Sequence, residues 1–413
     1  MIVARTRTLI STVALAVVCV LASGCTTAGH PSETHVDLSK LDVGDYSTEP
    51  MNAPSAPDGK YGKLIESVRM GEAMIDPVLA DPAAKYSLSV GVAALPTSDY
   101  VTRRLGDAVK SVLDQQRMVA GFWVGGTDTE GRAAQVGKMH RLSVTLLRFP
   151  DDATAKAAAD GIDAADFAVS PDNVAVTVPG YAAARGHWRP TVPTMAATLA
   201  HGSFVVSVLT ELPSTDLPAL SDIAAKTFAA QLPALDKFQP TPVDGLAGLA
   251  LDRDGMLRRA LPAKRGEWPF PTQSTVPVNS IANWDDPIVD SGIVYGPQVI
   301  HLKYARPESA KLAPAEAFAK VSFFGVMRFP DAKSARKYYG PPKVLAENYR
   351  EADGPAGVPD IRCDEDTTSK VSQQRFFCFV LYHRYVGYVA SDELKDAQRK
   401  AAAQYALLVK TDD

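Results

Sequence analysis

Cysteine is scarce in this sequence, and the familiar catalytic spacings are missing. The 413 residues include four cysteines. There is no Gly-x-Ser-x-Gly, no His-Glu-x-x-His, no phosphate-binding loop and no dinucleotide-binding glycine pattern. These absences remove the best-known signatures of serine hydrolases, zinc peptidases and nucleotide-binding enzymes. The sequence therefore indicates no catalytic residue, no metal site and no cofactor.

Long apolar runs and blocks of one charge are also rare. The net charge is -4 and no basic cluster accompanies it, which argues against nucleic acid as a partner. After the N-terminal apolar run, no segment is long enough to cross a membrane. The hydrophobic fraction of 46% is sufficient for full cores. Beyond the N-terminal segments about 350 residues remain, which predicts two domains of ordinary size.

The N-terminus has the pattern of an export signal. Arg5 and Arg7 precede an apolar run, residues 9–21, that is about as long as a signal-peptide core and too short to span a bilayer. The following Leu-Ala-Ser-Gly-Cys resembles the lipobox of bacterial lipoproteins. That resemblance implies a signal peptide over residues 1–24 and acyl chains on Cys25, which would anchor the exported protein to the membrane. A plain secretory signal with an incidental cysteine is the alternative.

Residues 25–60 are predicted to be the lipidated cysteine and a flexible tether. The segment is rich in Thr, Ser, Pro and Asp and poor in large apolar side chains. Such a composition cannot bury enough surface to offset the entropy of ordering. His30 and His35 lie within it, and we interpret them as solvated residues rather than as metal ligands.

The remaining cysteines, Cys363 and Cys378, are predicted to form a disulfide. Cys19 leaves with the signal peptide and Cys25 carries the lipid, so the mature globular part retains an even pair. In an oxidising compartment such a pair is normally bonded. A redox-active pair is the alternative, but its cysteines usually lie two residues apart at a helix start. The spacing favours a structural disulfide.

The second half of the sequence repeats the first. Arg-Phe-Pro-Asp at residues 148–151 recurs at residues 328–331, with similar residues behind it. Downstream, both copies continue with a strand hairpin near a histidine, which aligns His201 with His383, and then an Ala-rich helix. The same order of elements indicates an internal duplication.

The duplication defines the predicted domains and fold class. We expect an N-terminal domain over residues 61–240 and a C-terminal domain over residues 241–413. In each copy the proline ends a strand, and Asp151 or Asp331 caps the following helix. The pattern predicts an α+β fold in which each domain is an antiparallel sheet with helices packed on one face. The alignment places Cys363 and Cys378 on alanines, Ala183 and Ala196.

Two groups of residues are candidates for ligand contact. The richest polar cluster could hold an anion, a haem or a metal, although a solvated hairpin tip is the favoured interpretation: Tyr382, His383, Arg384 and Tyr385. Trp188 and Trp268 lie among Pro and Gly in predicted loops. Such aromatic residues can grip sugars or acyl chains, or they can fill the seam between two domains. We favour the seam.

Four features together resemble a known family: the lipobox, residues 37–50, residues 69–82 and the doubled Arg-Phe-Pro-Asp. They are similar to lipoproteins of unknown function found in mycobacteria, nocardiae and related mycolic-acid bacteria. The resemblance covers nearly the whole chain. It implies a cell envelope rich in long-chain lipids, and it brings no activity because none is established for the family.

Three functions remain open from the sequence. The favoured one is a non-enzymatic, membrane-anchored envelope module that binds a lipid or an envelope protein at the domain junction or on a sheet face. The second is an envelope hydrolase whose catalytic groups are dispersed in sequence, with His187, His201 or His383 as the base. The third is a purely structural lipoprotein, and an apolar cavity between the halves would argue against it.

Overall fold

The computed structural model describes seven stretches of the chain: residues 36–55, 59–130, 136–277, 285–304, 315–340, 348–368 and 374–412. The predicted signal peptide, Cys25, His30 and His35 lie outside these stretches. Within the described part, the first half contains seven strands and five helices: α1 (Gly62–Met70), β1 (Tyr86–Ala94), α2 (Ser98–Leu105), α3 (Lys110–Gln115), β2 (Ala120–Thr127), β3 (Arg141–Arg148), α4 (Asp152–Phe167), β4 (Val174–Val178), β5 (Tyr181–Trp188), β6 (Thr194–His201), β7 (Phe204–Glu211) and α5 (Leu217–Asp236).

The described part of the second half contains nine strands and three helices. A separate hairpin, β8 with β9, precedes the elements that correspond to the first half. These elements are β8 (Thr272–Pro277), β9 (Asp285–Ser291), β10 (Ile293–Tyr295), α6 (Pro297–Tyr304), β11 (Ala317–Val321), β12 (Phe324–Arg328), α7 (Ala332–Tyr339), β13 (Tyr349–Ala352), β14 (Ile361–Asp366), β15 (Phe376–Tyr382), β16 (Tyr385–Ser391) and α8 (Leu394–Asp412).

Two antiparallel sheets of seven strands have the same topology. The first sheet has the order β1-β2-β3-β7-β6-β5-β4, and the second has the order β10-β11-β12-β16-β15-β14-β13. Adding nine to each strand number of the first sheet gives the second. The α+β class and the duplicated architecture are therefore confirmed, and the match extends to every strand of the two sheets.

The repeated Arg-Phe-Pro-Asp lies at the same strand-to-helix junction in both halves. The Asp151 carboxylate accepts a hydrogen bond from the Thr154 amide at 2.7 Å, and the Asp331 carboxylate accepts one from the Ser334 amide at 2.7 Å. Both aspartates have extended backbone, as N-cap residues do. The motif thus ends one strand and begins α4 or α7.

Helices cover both faces of each sheet, whereas the sequence predicted one face. In the first sheet, Leu146 packs in the cluster that contains α5, and its neighbour Leu147 packs in the cluster that contains α4. Successive strand residues point to opposite faces. Both leucines are fully buried, so this strand is apolar on both sides and requires a cover on each.

The second sheet has the same two-sided cover. On one face, the Tyr382 ring meets Tyr405 of α8 edge-on, with centroids 5.8 Å apart. On the other face, the Arg362 guanidinium lies 4.6 Å from the Phe379 centroid and 5.8 Å from the ring of Tyr339 in α7. A short α7 and a long α8 therefore enclose the central strands.

Strand pairing corrects the alignment of the two histidines. Arg148 pairs with Phe204, and the corresponding Arg328 pairs with Tyr385. Counting back through each hairpin makes Tyr382 the counterpart of His201. The counterpart of His383 is then Gly202, and both of these turn residues have positive φ, 46° and 53°. Aligning the two histidines shifted this hairpin by one residue.

The same register relocates the disulfide within the repeat. The structure confirms the Cys363–Cys378 bond, which joins directly opposed residues of β14 and β15. The opposed pair at that place in the first sheet is Gly186 and Ala197, rather than Ala183 and Ala196. Alanine is so common in this region that it carried little information about the alignment.

A continuous apolar core joins the two halves. One cluster contains residues from both, among them Phe122, Val299 and Phe318. Val299 lies so close to Gly71 that an added Cβ there would be 2.4 Å from Val299 Cγ2. The chain from Leu38 to Asp413 accordingly forms one compact unit.

The later part of the predicted tether packs against α8. Tyr46 Oη donates a hydrogen bond to Asp396 at 2.6 Å, and Arg399 pairs with Asp42 at 3.1 Å. Leu41 is buried. The prediction of a flexible segment therefore does not hold for residues 38–50. Composition alone missed that the acidic residues here match basic residues on the exposed side of α8.

Candidate functional site between the two halves

A predominantly apolar pocket of about 200 Å³ lies where the two halves meet. Three parts of the chain form its walls: α1 from the first half, the connecting segment around residue 250, and β10 with the glycine before α6. The apolar lining includes Ile65, Val68, Leu249, Leu251, Ile293 and Val294. Because both copies of the duplication contribute, neither half contains this pocket alone.

A carboxylate from the first half fixes the second half beside the pocket. Glu72 follows α1 and accepts hydrogen bonds from the amides of Gln298 and Val299, at 3.1 and 3.3 Å, at the start of α6. Gly296 lines the pocket here, and an added Cβ would lie 2.4 Å from Glu72. Burial raises the pKa of Glu72 above its usual value, although these amides and the charge of Arg253 oppose that rise.

Two arginines bring positive charge to the apolar pocket, and they differ in their partners. Arg69 is held by the Glu66 carboxylate, by the Thr241 hydroxyl and by the Gln239 carbonyl, the last at 3.1 Å. Arg253 also lines the pocket. Its Nε is buried and has no hydrogen-bond acceptor among the described residues.

A buried ionic cluster stands behind Arg69. Glu66 is fully buried and pairs with Arg148 at 2.5 Å. Its carboxylate also accepts hydrogen bonds from the Thr241 amide and hydroxyl, at 3.0 and 2.8 Å. Burial lowers the pKa of Arg148, while the adjacent Glu66 charge acts in the opposite direction. The cluster fastens α1 to β3 and to the segment that leads into the second half.

The predicted polar cluster at residues 382–385 is divided by the structure. His383 and Arg384 line a polar cleft of about 310 Å³ that also includes Asp331 and Asp412. Tyr385 instead points into the core and is 5% exposed, and Tyr382 stacks on His383 with centroids 4.2 Å apart. His383 pairs with Asp412 at 2.6 Å, and Arg384 lies 3.7 Å from Glu316.

The two tryptophans contact apolar surroundings rather than the pocket. Trp188 is half-buried against the core cluster that joins the halves. Trp268 is 9% exposed, and its indole Nε1 is buried without an acceptor in the part of the chain that the structure describes. In the same loop Phe270 stacks on Tyr61 of the first half, with centroids 5.4 Å apart.

The three histidines proposed as catalytic bases occupy separate places. His201 and His383 lie at the hairpin ends of different sheets, and each pairs at 2.6 Å with the last residue of a helix, Asp236 or Asp412. His187 lies within β5, at 3.0 Å from Asp163. The hydrolase hypothesis thus gains no shared site from these residues.

Two further findings concern metals and membranes. Among the described residues, no group of three or more His, Cys, Asp or Glu side chains is arranged to hold a metal ion. Within the same stretches, none of the helices combines the length and apolar character needed to cross a bilayer.

The molecule is thus a duplicated α+β protein with a pocket at its internal seam. The chain belongs to the family DUF7373, a domain of unknown function. The family's N-terminal domain matches residues 53–251, and its C-terminal domain matches residues 256–411. No curated protein matches the chain. The family assignment brings no activity with it.

A solved structure gives a weak similarity. It is the extracellular domain of PknH from Mycobacterium tuberculosis, which is 13% identical and matches over 40% of this chain and 94% of its own, with a TM-score of 0.27. A score this low supports no argument about fold or function, so the pocket has to be judged by its own chemistry.

Sequence reasoning proposed a ligand at the domain junction or on a sheet face, but it did not identify the residues that line the seam pocket. Its lining comes from segments more than two hundred residues apart, such as α1 and β10. The segment Leu249-Ala250-Leu251-Asp252-Arg253 was the available signal, since it places apolar residues beside a basic one directly after the first copy ends. Without the fold, that segment resembles an ordinary linker.

Proposed function

We propose that this protein is a lipid-anchored, non-enzymatic module of the cell envelope that binds a small hydrophobic ligand in the seam pocket. The observation that carries the proposal is the pocket itself, an apolar space of about 200 Å³ with basic residues at its wall. Ligand sites are commonly apolar hollows at domain interfaces with a few polar groups that orient the ligand. The pocket also counts against a purely structural role.

The envelope location rests on the N-terminal sequence. The apolar run and the Gly24-Cys25 junction support export and acylation, and acyl chains on Cys25 would place the folded unit at the membrane surface. Labelling with an alkyne fatty acid tests this part. We expect label on the wild-type chain and none on Cys25→Ala, and label on both proteins would contradict anchoring at Cys25.

Ligand binding is tested with a neutral apolar probe and a pocket-filling variant. Ala250 is exposed and lines the pocket, so Ala250→Trp should occupy the space without disturbing the core. Ala183 on β5 is also exposed and lies elsewhere, which makes Ala183→Trp the matched control. All variants are made in the full chain with Cys25→Ala, so that bound membrane lipid does not compete.

The measurement is isothermal titration with 1-octanol. We expect saturable binding by the parent protein and by Ala183→Trp, and at least about tenfold weaker binding by Ala250→Trp, since a filled pocket loses the apolar contact. The absence of saturable binding in the parent protein, both with octanol and with a charged probe of the same chain length, would contradict the proposed function. Equal binding by all three proteins would place the ligand elsewhere.

A further inference from the structure

We infer that the seam pocket selects a singly charged fatty-acid anion, with the carboxylate at Arg253 and the alkyl chain against the apolar wall. This inference rests on the proposed function, because it names the chemical class of ligand for the same pocket. It depends on a difference between the two arginines of the wall, on the state of the nearby carboxylates and on the size of the space.

Arg69 and Arg253 differ in how many of their N–H groups already have hydrogen-bond acceptors. Arg69 is already paired with the Glu66 carboxylate and donates to the Thr241 hydroxyl and the Gln239 carbonyl. Arg253 makes no ion pair with any described residue, and its buried Nε has no acceptor. A buried donor without an acceptor is costly, so native proteins seldom leave one without a partner. A ligand in the pocket cannot reach this closed-off atom, and its acceptor would instead meet the terminal nitrogens of Arg253, which have no hydrogen-bond partner among the described residues.

The carboxylates of Asp252, Asp254 and Glu72 all have other partners, and Asp254 pairs with Arg328 at 3.2 Å. Asp252 accepts hydrogen bonds from the amides of Leu257 and Arg258, at 2.6 and 3.1 Å. Glu72 accepts from the amides at the start of α6. Both side chains accept hydrogen bonds from backbone groups, and Glu72 feels Arg253 only through its charge, without a hydrogen bond between them. The guanidinium of Arg253 therefore remains able to bind a ligand.

The charge and volume of the pocket limit the ligand. One available guanidinium matches a carboxylate, which carries a single charge and accepts paired N–H donors. A phosphate monoester carries closer to two charges and would call for a second cation. With about 30 Å³ for a group of water size, 200 Å³ holds roughly seven such groups. The pocket therefore fits a medium-length alkyl chain or the end of a longer one.

The test compares octanoate with 1-octanol, which share the chain and differ in head group. Titrations use the full chain with Cys25→Ala, and add Arg253→Leu, Arg253→Lys and Arg265→Leu. Arg265 is exposed and does not line the pocket, so its variant controls for the loss of one positive charge. We expect octanoate to bind about tenfold more tightly than octanol in the parent protein and in Arg265→Leu.

Arg253→Leu should bind both probes equally. Arg253→Lys should keep part of the preference for octanoate, and it replaces the leucine variant if that variant fails to fold. Equal affinities for the two probes in the parent protein would overturn the inference and leave the proposed function intact. A preference that survives in Arg253→Leu would overturn the assigned role of Arg253. If neither probe saturates the parent protein, both the inference and the proposed function fail.

Discussion

The two halves share one topology but stabilise the same junction differently. In the first half, the motif arginine, Arg148, meets a fully buried Glu66 from the preceding helix. In the second half, Arg328 at the same place pairs at 3.2 Å with Asp254, whose side chain is 51% exposed. Both arginines therefore tie the strand end to the helical segment that enters each copy. One tie is a buried network and the other is a surface ion pair.

The cover of the two sheets differs as well. Helix α4 has 16 residues and its counterpart α7 has 8. The second sheet, which has the shorter helix, also carries the disulfide, at the position where the first has Gly186 and Ala197. The comparison indicates that the two copies share their strand order, while the junction arginine and the sheet are stabilised by different contacts in each copy.

The largest effect should come from the two motif ion pairs. Glu66→Gln removes a fully buried carboxylate and leaves Arg148 without a counter-charge, which should lower the free energy of unfolding by about 3–5 kcal/mol. The matched change Asp254→Asn should cost less than about 1 kcal/mol, because that pair is exposed. Urea unfolding measures both. Similar losses in the two variants would mean that the halves do not differ in this way.

The disulfide should be the next largest contribution. The cysteines are 15 residues apart in sequence, and closing a loop of that length stabilises a fold by about 3 kcal/mol in the chain-entropy model. The double variant Cys363→Ala, Cys378→Ala should therefore lose about that much in urea unfolding. Dithiothreitol should lower the stability of the parent protein and leave the double variant unchanged. A reductant effect on the double variant would point to another cause.

Much of the repeated framework could be predicted from the sequence because it depends on local chemistry. Proline ends a strand and aspartate begins a helix whatever surrounds them, so the repeated motif located both junctions. The disulfide could be predicted from the even number of cysteines left after export and from the oxidising compartment that export implies. The prediction that helices cover one face of each sheet was wrong, because the order of elements does not determine the face on which a helix packs. The adjacent Leu146 and Leu147 already indicated a strand that is buried on both faces.

The candidate site could not be predicted because its parts come together only in the fold. Arg253 is ordinary in sequence, and its significance comes from its place in the pocket wall without an ion-pair partner among the described residues. Residues 38–50 were assigned to a tether for a similar reason: their partner, α8, lies more than three hundred residues away. Composition describes a segment by itself and contains no information about the surface that it meets.

A buried glutamine makes the same pair of backbone hydrogen bonds in each half, a contact that the sequence did not reveal. It allows a test of whether the two copies depend on equivalent interactions. Buried Gln231 of α5 bonds the Ile75 amide at 3.2 Å and the Ala73 carbonyl at 2.6 Å. Gln404 of α8 makes the same two contacts in the second half, with Leu261 at 2.9 Å and Arg259 at 2.7 Å.

Gln231→Leu and Gln404→Leu should each cost about 2 kcal/mol in urea unfolding, because each leaves a buried amide and a buried carbonyl unpaired. Equal losses would support equivalent roles in the two copies. A neutral result for one of them would mean that its copy no longer depends on the contact. Exposed Gln115→Leu serves as the control and should be close to neutral.

The smallest difference concerns His187, whose place in the second sheet is taken by Asp364. Burial lowers the pKa of His187, but hydrogen bonds to Asp163 and Asp166 outweigh burial and raise it to about 9. In the unfolded chain the value is about 6.5. The raised pKa therefore stabilises the fold fully below about pH 6.5, and this stabilisation is lost as the pH rises through about 9.

After allowance for solvent screening, the loss should be about 1–2 kcal/mol. Unfolding free energies measured from pH 6 to pH 10 should show this decline in the parent protein and a flatter profile in His187→Gln. His201→Gln removes a more exposed histidine that also pairs with an aspartate, and it serves as the control for the loss of one imidazole. An unchanged slope in His187→Gln would assign the pH dependence to other groups. The His187 contact would then no longer count as a stabilising difference between the two halves.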